Sequence, residues 1–166
     1  SLDGSASALI TVTVVGTNDL PSIDGVVSGT VNEDGFSEIV EGGSLTAFGE
    51  ITIDDVDLGE SGIPEPVSVL GLYGSFELAT DGTWVYTLDN ELAALQSLRS
   101  GETVNDEIII PTIDGSGATI NIEVIGSDDE SVIYGELSDT IIRQCEDSSA
   151  KGFVTVEDID TGESGV

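Results

Sequence analysis

Ile10, Val12 and Val14 alternate with Thr11 and Thr13, and far downstream Ile120, Ile122 and Val124 alternate with Asn121 and Glu123. A period of two sends one set of side chains to a face that can be buried and the other to water, which predicts half-buried β-strands. Trp84, Tyr86 and Leu88 share one face of another such strand. Further strands are expected near 26–31, 44–53, 67–73, 74–79 and 103–111. Asp-Gly pairs at 3–4, 24–25, 34–35, 81–82 and 114–115 punctuate these runs with the residues that tight turns demand. One helical pattern, Glu91 to Leu98, is about two turns long and precedes Gly101. About seven short strands joined by regular turns predict an all-β, Greek-key β-sandwich.

The pattern also repeats itself. Asp3-Gly4 and the run from Ile10 to Asp19 have a counterpart in Asp114-Gly115 and the run from Ile120 to Asp129. Residues 49–63, GEITIDDVDLGESGI, align without gaps with residues 152–166, GFVTVEDIDTGESGV. Ile10 and Ile120 lie 110 residues apart, whereas Gly49 and Gly152 lie 103 apart. A period of roughly 105 residues suits an array of sandwiches better than a short-unit solenoid. The order of the matches predicts the C-terminal strand of one repeat at 1–19, a complete repeat at 20–129, and the N-terminal part of a following repeat at 130–166.

Charge then narrows the function. Three Lys and Arg stand against 33 Asp and Glu with no histidine, a formal net charge of −30. Nothing here could neutralise phosphates, which excludes a basic nucleic-acid footprint and attraction to an anionic membrane. Self-repulsion on this scale opposes compaction, so bound divalent cations are the simplest offset. Disorder is the other outcome that such charge favours, but a 39% hydrophobic content gathered into short Val, Ile and Leu runs opposes it. Cys145 is the only cysteine, so no internal disulfide can form, and metal sites are the alternative staple. No apolar run approaches the ~18 residues of a membrane-spanning helix.

The acids cluster at particular places. One cluster is Thr17-Asn18-Asp19 before Leu20-Pro21, another is Asn32-Glu33-Asp34, and a third is Asp54-Asp55-Val56-Asp57. Residues two apart in an extended strand point to the same side, so Asp55 and Asp57 could reach one ion. Calcium takes six to eight oxygens from carboxylates, amides and carbonyls in irregular geometry. Acids also crowd the loops of any acidic protein simply to stay solvated. Asp158-Ile159-Asp160 repeats Asp55-Val56-Asp57, and Asp128-Asp129 repeats Asn18-Asp19, although shared descent of the repeats accounts for part of this.

The segment Gly74-Ser75-Phe76-Glu77-Leu78 followed by the run from Asp81 to Asn90, DGTWVYTLDN, resembles the signature of VCBS repeats. So do the run from Leu98 to Val104, Ile113-Asp114-Gly115, and Gly16-Thr17-Asn18-Asp19 with Pro21, so the resemblance spans essentially 16–129. It implies an immunoglobulin- or cadherin-like, Ca²⁺-bound extender module, found in tandem in large secreted adhesins of the RTX type. The implied setting is the bacterial cell surface, reached by type I secretion, in cell adhesion and biofilm attachment. The implied ligands are Asn18 and Asp19 from the linker with Glu33, Asp55 and Asp57. The next junction would use Asp128, Asp129, Asp139, Asp158 and Asp160. The second linker, Ser127-Asp128-Asp129-Glu130-Ser131, lacks the family's Asn and Pro, and Ser138-Asp139-Thr140 lacks an acidic pair. Weaker calcium binding or a looser junction is therefore expected there.

An enzyme is not expected. Missing histidine excludes a Ser-His-Asp triad and leaves Cys145 without a base partner, which suits a small buried hydrophobe. Glycosidase chemistry needs one carboxyl kept protonated in an apolar pocket, whereas these acids sit beside other acids and turn residues. A carbohydrate- or protein-binding sandwich is the competing reading, with a polysaccharide-active fragment behind it. Total aromatic content is only 5%, and Trp84 alternates with Tyr86 and Leu88 as a core residue does. The expected partners are neighbouring repeats of the same chain, with no membrane insertion. Unpaired strands in the two partial repeats would also invite self-association.

Overall fold

A computed structural model describes residues 4–5, 8–35, 44–135 and 152–163. Its elements are β1 (Ser22–Gly25), β2 (Ser28–Asn32), β3 (Thr46–Asp54), β4 (Val67–Leu70), β5 (Gly74–Leu78), β6 (Thr83–Leu88), β7 (Thr103–Ile110), β8 (Ala118–Ile125), β9 (Val132–Gly135) and β10 (Val154–Glu157). Among the described residues every regular element is a strand. They form a five-stranded sheet in the order β1-β3-β6-β5-β4, a three-stranded sheet in the order β2-β8-β7, and the pair β9-β10. All pairings are antiparallel except β2 with β8.

The alternation read from the sequence is what joins the two larger sheets. Phe76, Leu78, Trp84, Tyr86 and Leu88 from one sheet are buried with Ile108, Ile110, Ile120, Ile122 and Val124 from the other, in one core cluster. Each buried aliphatic side chain contributes about 1.5–3 kcal/mol relative to exposure, so this face-to-face burial dominates the stability. Trp84 packs on Phe76 with ring centroids 5.7 Å apart, and its indole N–H donates to the Val26 carbonyl at 2.8 Å. Gly29 lets β2 close on the opposite sheet: a Cβ there would lie 2.8 Å from Ala47 Cβ and 3.1 Å from the Trp84 ring.

Three expectations change. The strand expected near 26–31 is β2, but Asp24-Gly25, expected as a turn, ends an additional strand, β1, in the other sheet, and the chain crosses between the two at Val26-Val27. Glu91 to Leu98 is a series of turns and not a helix. Its bonds are mostly three residues apart, Leu95 N–H to Leu92 O at 2.9 Å and Leu98 N–H to Leu95 O at 2.8 Å. Leu92, Leu95 and Leu98 thereby all pack on the core, a spacing of three that successive three-residue turns align. Residues 8–20 carry the predicted alternation but join no ladder, and Ile10, Val12 and Val14 are exposed.

The pair β9-β10 reproduces the register of β1-β3. Ser22 faces Asp54 and Gly25 faces Ile51; correspondingly, Val132 faces Glu157 and Gly135 faces Val154. Gly25 and Gly135 both adopt positive φ, 107° and 130°. A Cβ on either would strike a carbonyl, that of Glu50 at 2.3 Å or of Phe153 at 2.2 Å. The same backbone approach therefore selects glycine twice.

Candidate metal centres

The first acidic group lies in the turn that follows β3. Carboxylate oxygens of Asp55, Asp57 and Glu60 lie within 4.8 Å of one another. Asp55 and Asp57 are not held by a shared strand face, as their spacing suggested, but by a turn. The Asp57 N–H donates to Asp55 Oδ1 at 2.8 Å, and Ser61 closes the loop by accepting from Asp55 N–H at 2.9 Å. The incoming linker docks here: Asp19 N–H donates to Asp57 Oδ2 at 2.8 Å, and the Asn18 amide donates to Asp114 Oδ2 at 3.3 Å. Asp114 sits in the β7–β8 connection, where the Thr112 hydroxyl and Ser116 donors hold its carboxyl down at about 2. Asp55 Oδ2 and Glu60 Oε2 are buried without a hydrogen-bond donor. Lost solvation, then the negative charges of Asp57, Asp55 and Asp114, raises the Glu60 carboxyl above its ordinary range.

The second group repeats two of these bonds. Asp129 N–H donates to Asp160 Oδ2 at 3.0 Å, and Asp160 N–H donates to Asp158 Oδ1 at 2.9 Å. Carboxylate oxygens of Asp128, Asp160 and Glu163 lie within 4.8 Å of one another. Asp160 is only 2% exposed, yet its Oδ1 has no donor, and neither has the buried Asp129 Oδ2. Glu33, also 2% exposed, accepts from the Gln96 amide at 2.9 Å and from Ser127 N–H at 3.2 Å. Burial pushes its carboxyl up to about 7; the Ser127 bond opposes this, and the negative Asp129, Asp34 and Asp160 add to it. Burial and the charges of Asp34, Asp160 and Asp158 raise Asp129 as well. Beside them Asp34 takes a left-handed conformation, φ 52°, and is clasped by Asn90, whose amide donates to its carboxylate at 2.7 Å.

Of the residues expected as ligands, Asn18, Asp19, Asp55 and Asp57 come together at the first group, and Asp128, Asp129, Asp158 and Asp160 at the second. Asp139 lies outside the described residues. Glu33 was expected beside Asp55 and Asp57 but stands at the second group. The parallel pairing of β2 with β8 is the reason: both strands end at the same end of the sheet, and Glu33 N–H continues the ladder to Ile125 O at 2.8 Å. That puts its side chain against Ser127, just past the end of β8.

Glu60, Glu163, Asp114 and Gln96 were not expected from the sequence to take part in these groups. Glu60 and Glu163 were within reach, since both fall in the matched GESG of the two aligned blocks. Asp106 was missed too. It occupies an inward position of β7, 1% exposed, and accepts from Tyr86 OH at 2.8 Å and from the N–H groups of Leu72 and Tyr73 at 3.0 Å each. The signal available was a lone acid between Val104 and Ile108 on the buried parity of an alternating strand.

Buried carboxylate oxygens without donors, crowded by other acids, are costly unless a cation joins them. The donor set is all oxygen, which suits a hard cation. No family model matches the chain, and no curated protein matches it.

Proposed function

We propose that the chain is a calcium-stiffened extender from a tandem array of β-sandwich repeats, cut from a long secreted bacterial surface adhesin that serves cell adhesion and biofilm attachment. The tandem reading is supported by two matched blocks that share one strand register and one pattern of linker-to-turn hydrogen bonds. The adhesin setting comes from the resemblance of 16–129 to VCBS repeats. The calcium reading rests most on Asp160: a buried carboxylate with an oxygen lacking any donor, among Asp128 and Glu163, next to buried Glu33.

In this reading Asp128, Asp160 and Glu163 hold the ion at the second junction, with Asp129, Asp158 and Glu33 beside it. Asp55, Asp57 and Glu60, with the linker's Asp19, do so at the first. At the second junction, acids drawn from the linker and from the units on either side remove freedom between those units, so a string of modules becomes a rod. Extracellular modules bind calcium at about 0.1–1 mM, so such a rod stiffens outside the cell. A site at calcium a hundredfold above its Kd adds about 2.7 kcal/mol.

Calorimetric titration of the chain with calcium tests this. Binding at sub-millimolar to millimolar Kd, with a rise in melting temperature, is expected. An absence of heat together with unchanged melting in calcium and in EGTA would overturn it.

A further inference from the structure

Among the described residues the only side-chain cation is Arg99, and it reaches out of the central sandwich onto the turn that follows β10. Its Nε lies 3.4 Å from Glu163 Oε1, and its Nη2 donates to the Thr161 carbonyl. Thr161 returns the contact twice: its hydroxyl and its N–H donate to the Ser97 carbonyl at 3.0 and 3.2 Å. The guanidinium can lie across this turn because residue 162 is glycine. A Cβ there would come within 2.6 Å of Nη2, and the backbone is at φ 82°.

The loop that carries Arg99 is itself firmly held. Arg99 N–H donates to Glu102 Oε2 at 3.1 Å, and Glu102 N–H donates to Arg99 O at 2.9 Å. Gly101 N–H donates to Gly126 O at 3.1 Å, Gly126 N–H donates to Glu102 O at 2.8 Å, and Leu98 packs on the core. The turn it grips has a twin at the first junction, Leu58-Gly59-Glu60, where Leu58 is fully exposed and a Cβ on Gly59 would meet nothing within 4 Å. That twin has the same turn geometry, with glycine φ of 91° against 82° and Glu60 N–H to Asp57 O at 3.2 Å matching Glu163 N–H to Asp160 O at 3.3 Å, although Leu58 lacks the hydroxyl of Thr161.

We infer that Ser97 and Arg99 form a latch between successive units that works without a divalent ion, seated on Thr161-Gly162-Glu163 of the next unit, and that Leu58-Gly59-Glu60 receives the corresponding loop of a preceding unit. The latch rests on the proposed succession of units but not on calcium. It pins one edge of the junction, so that removing the ion frees a hinge about that edge and not a swivel. Arg99 also places a fixed positive charge beside Glu163, one of the acids proposed to hold the ion.

Nitroxide labels at Thr119→Cys and Phe153→Cys, in the full chain carrying Cys145→Ser, report the spacing of the two units as a distance distribution. In EGTA the wild-type distribution is expected to keep a single peak, and Arg99→Met, which retains the aliphatic stem, to lose it. In calcium the two are expected to coincide. Exchange of the Thr161 amide, faster in Arg99→Met with core amides unchanged, separates a lost latch from a lost fold. The latch is overturned if Arg99→Met matches wild type in EGTA, or if calcium narrows wild type yet leaves Arg99→Met broad. Should calcium narrow neither protein while their difference persists, the latch stands and the calcium reading falls.

Discussion

At the scale of single residues, buried acids decide the behaviour. The Glu33 carboxyl is pushed up to about 7 from an ordinary 4.5, so the folded chain keeps this proton over a range where the unfolded chain has lost it. Its contribution is fully present below pH 4.5 and is lost as pH rises through about 7. Chelated protein should therefore lose stability between those values, seen as a falling urea midpoint, and Glu33→Gln should flatten that slope. Asp106 is the opposite case, a buried carboxylate with three donors satisfied. Asp106→Ala strands those donors between the sheets and should cost about 3 kcal/mol in chemical denaturation, with Asp106→Asn costing less. The clusters Asn18-Asp19, Asp55-Asp57 and Asp158-Asp160 were legible because loops announce their acids in sequence. Glu33's true neighbours were not, since they depend on which strand lies parallel to β2.

At the scale of elements, alternation was read well in the long strands of the core, whereas β1 pairs with β3 over an Asp24-Gly25 that was read as a turn. The observed β5, β6, β7 and β8 fall within about two residues of the patterned runs, and the faces read for Trp84, Tyr86 and Leu88 and for Ile120, Ile122 and Val124 are the buried ones. The Asp81-Gly82 signal also fell on a hairpin turn. Gly82 sits at φ 93°, and a Cβ there would meet Ile51 O at 2.0 Å. Gly82→Ala should then lower stability by at least about 1 kcal/mol, measured by thermal melting, from left-handed strain and that clash together. Patterning failed where pairing or spacing overrode it. Residues 8–15 alternate like β8 but have no neighbour, and a ladder needs one. Leu92, Leu95 and Leu98 carry a spacing that serves tight turns as well as a short helix, and eight residues are too few for propensity to decide.

At the scale of the whole molecule, the net charge of −30 acts against every contact described above. With divalent ions removed, raising sodium chloride should raise the melting temperature, since screening shortens to about 10 Å at 0.1 M and weakens the acid–acid repulsion. In saturating calcium the same salt series should move it less. A flat response in chelator would mean that the acids are already far enough apart to ignore one another. The parallel pairing of β2 with β8 has a mechanical consequence. Past β1 and Val26-Val27 the chain reaches the Ser28 end of β2, and it leaves β8 at Ile125, so tension that has passed β1 pulls these neighbours lengthwise in opposite directions. The hydrogen bonds joining Ser28–Asn32 to Asn121–Ile125 are loaded together in shear, not peeled one at a time. A row loaded in this way yields only when the whole of it gives way at once.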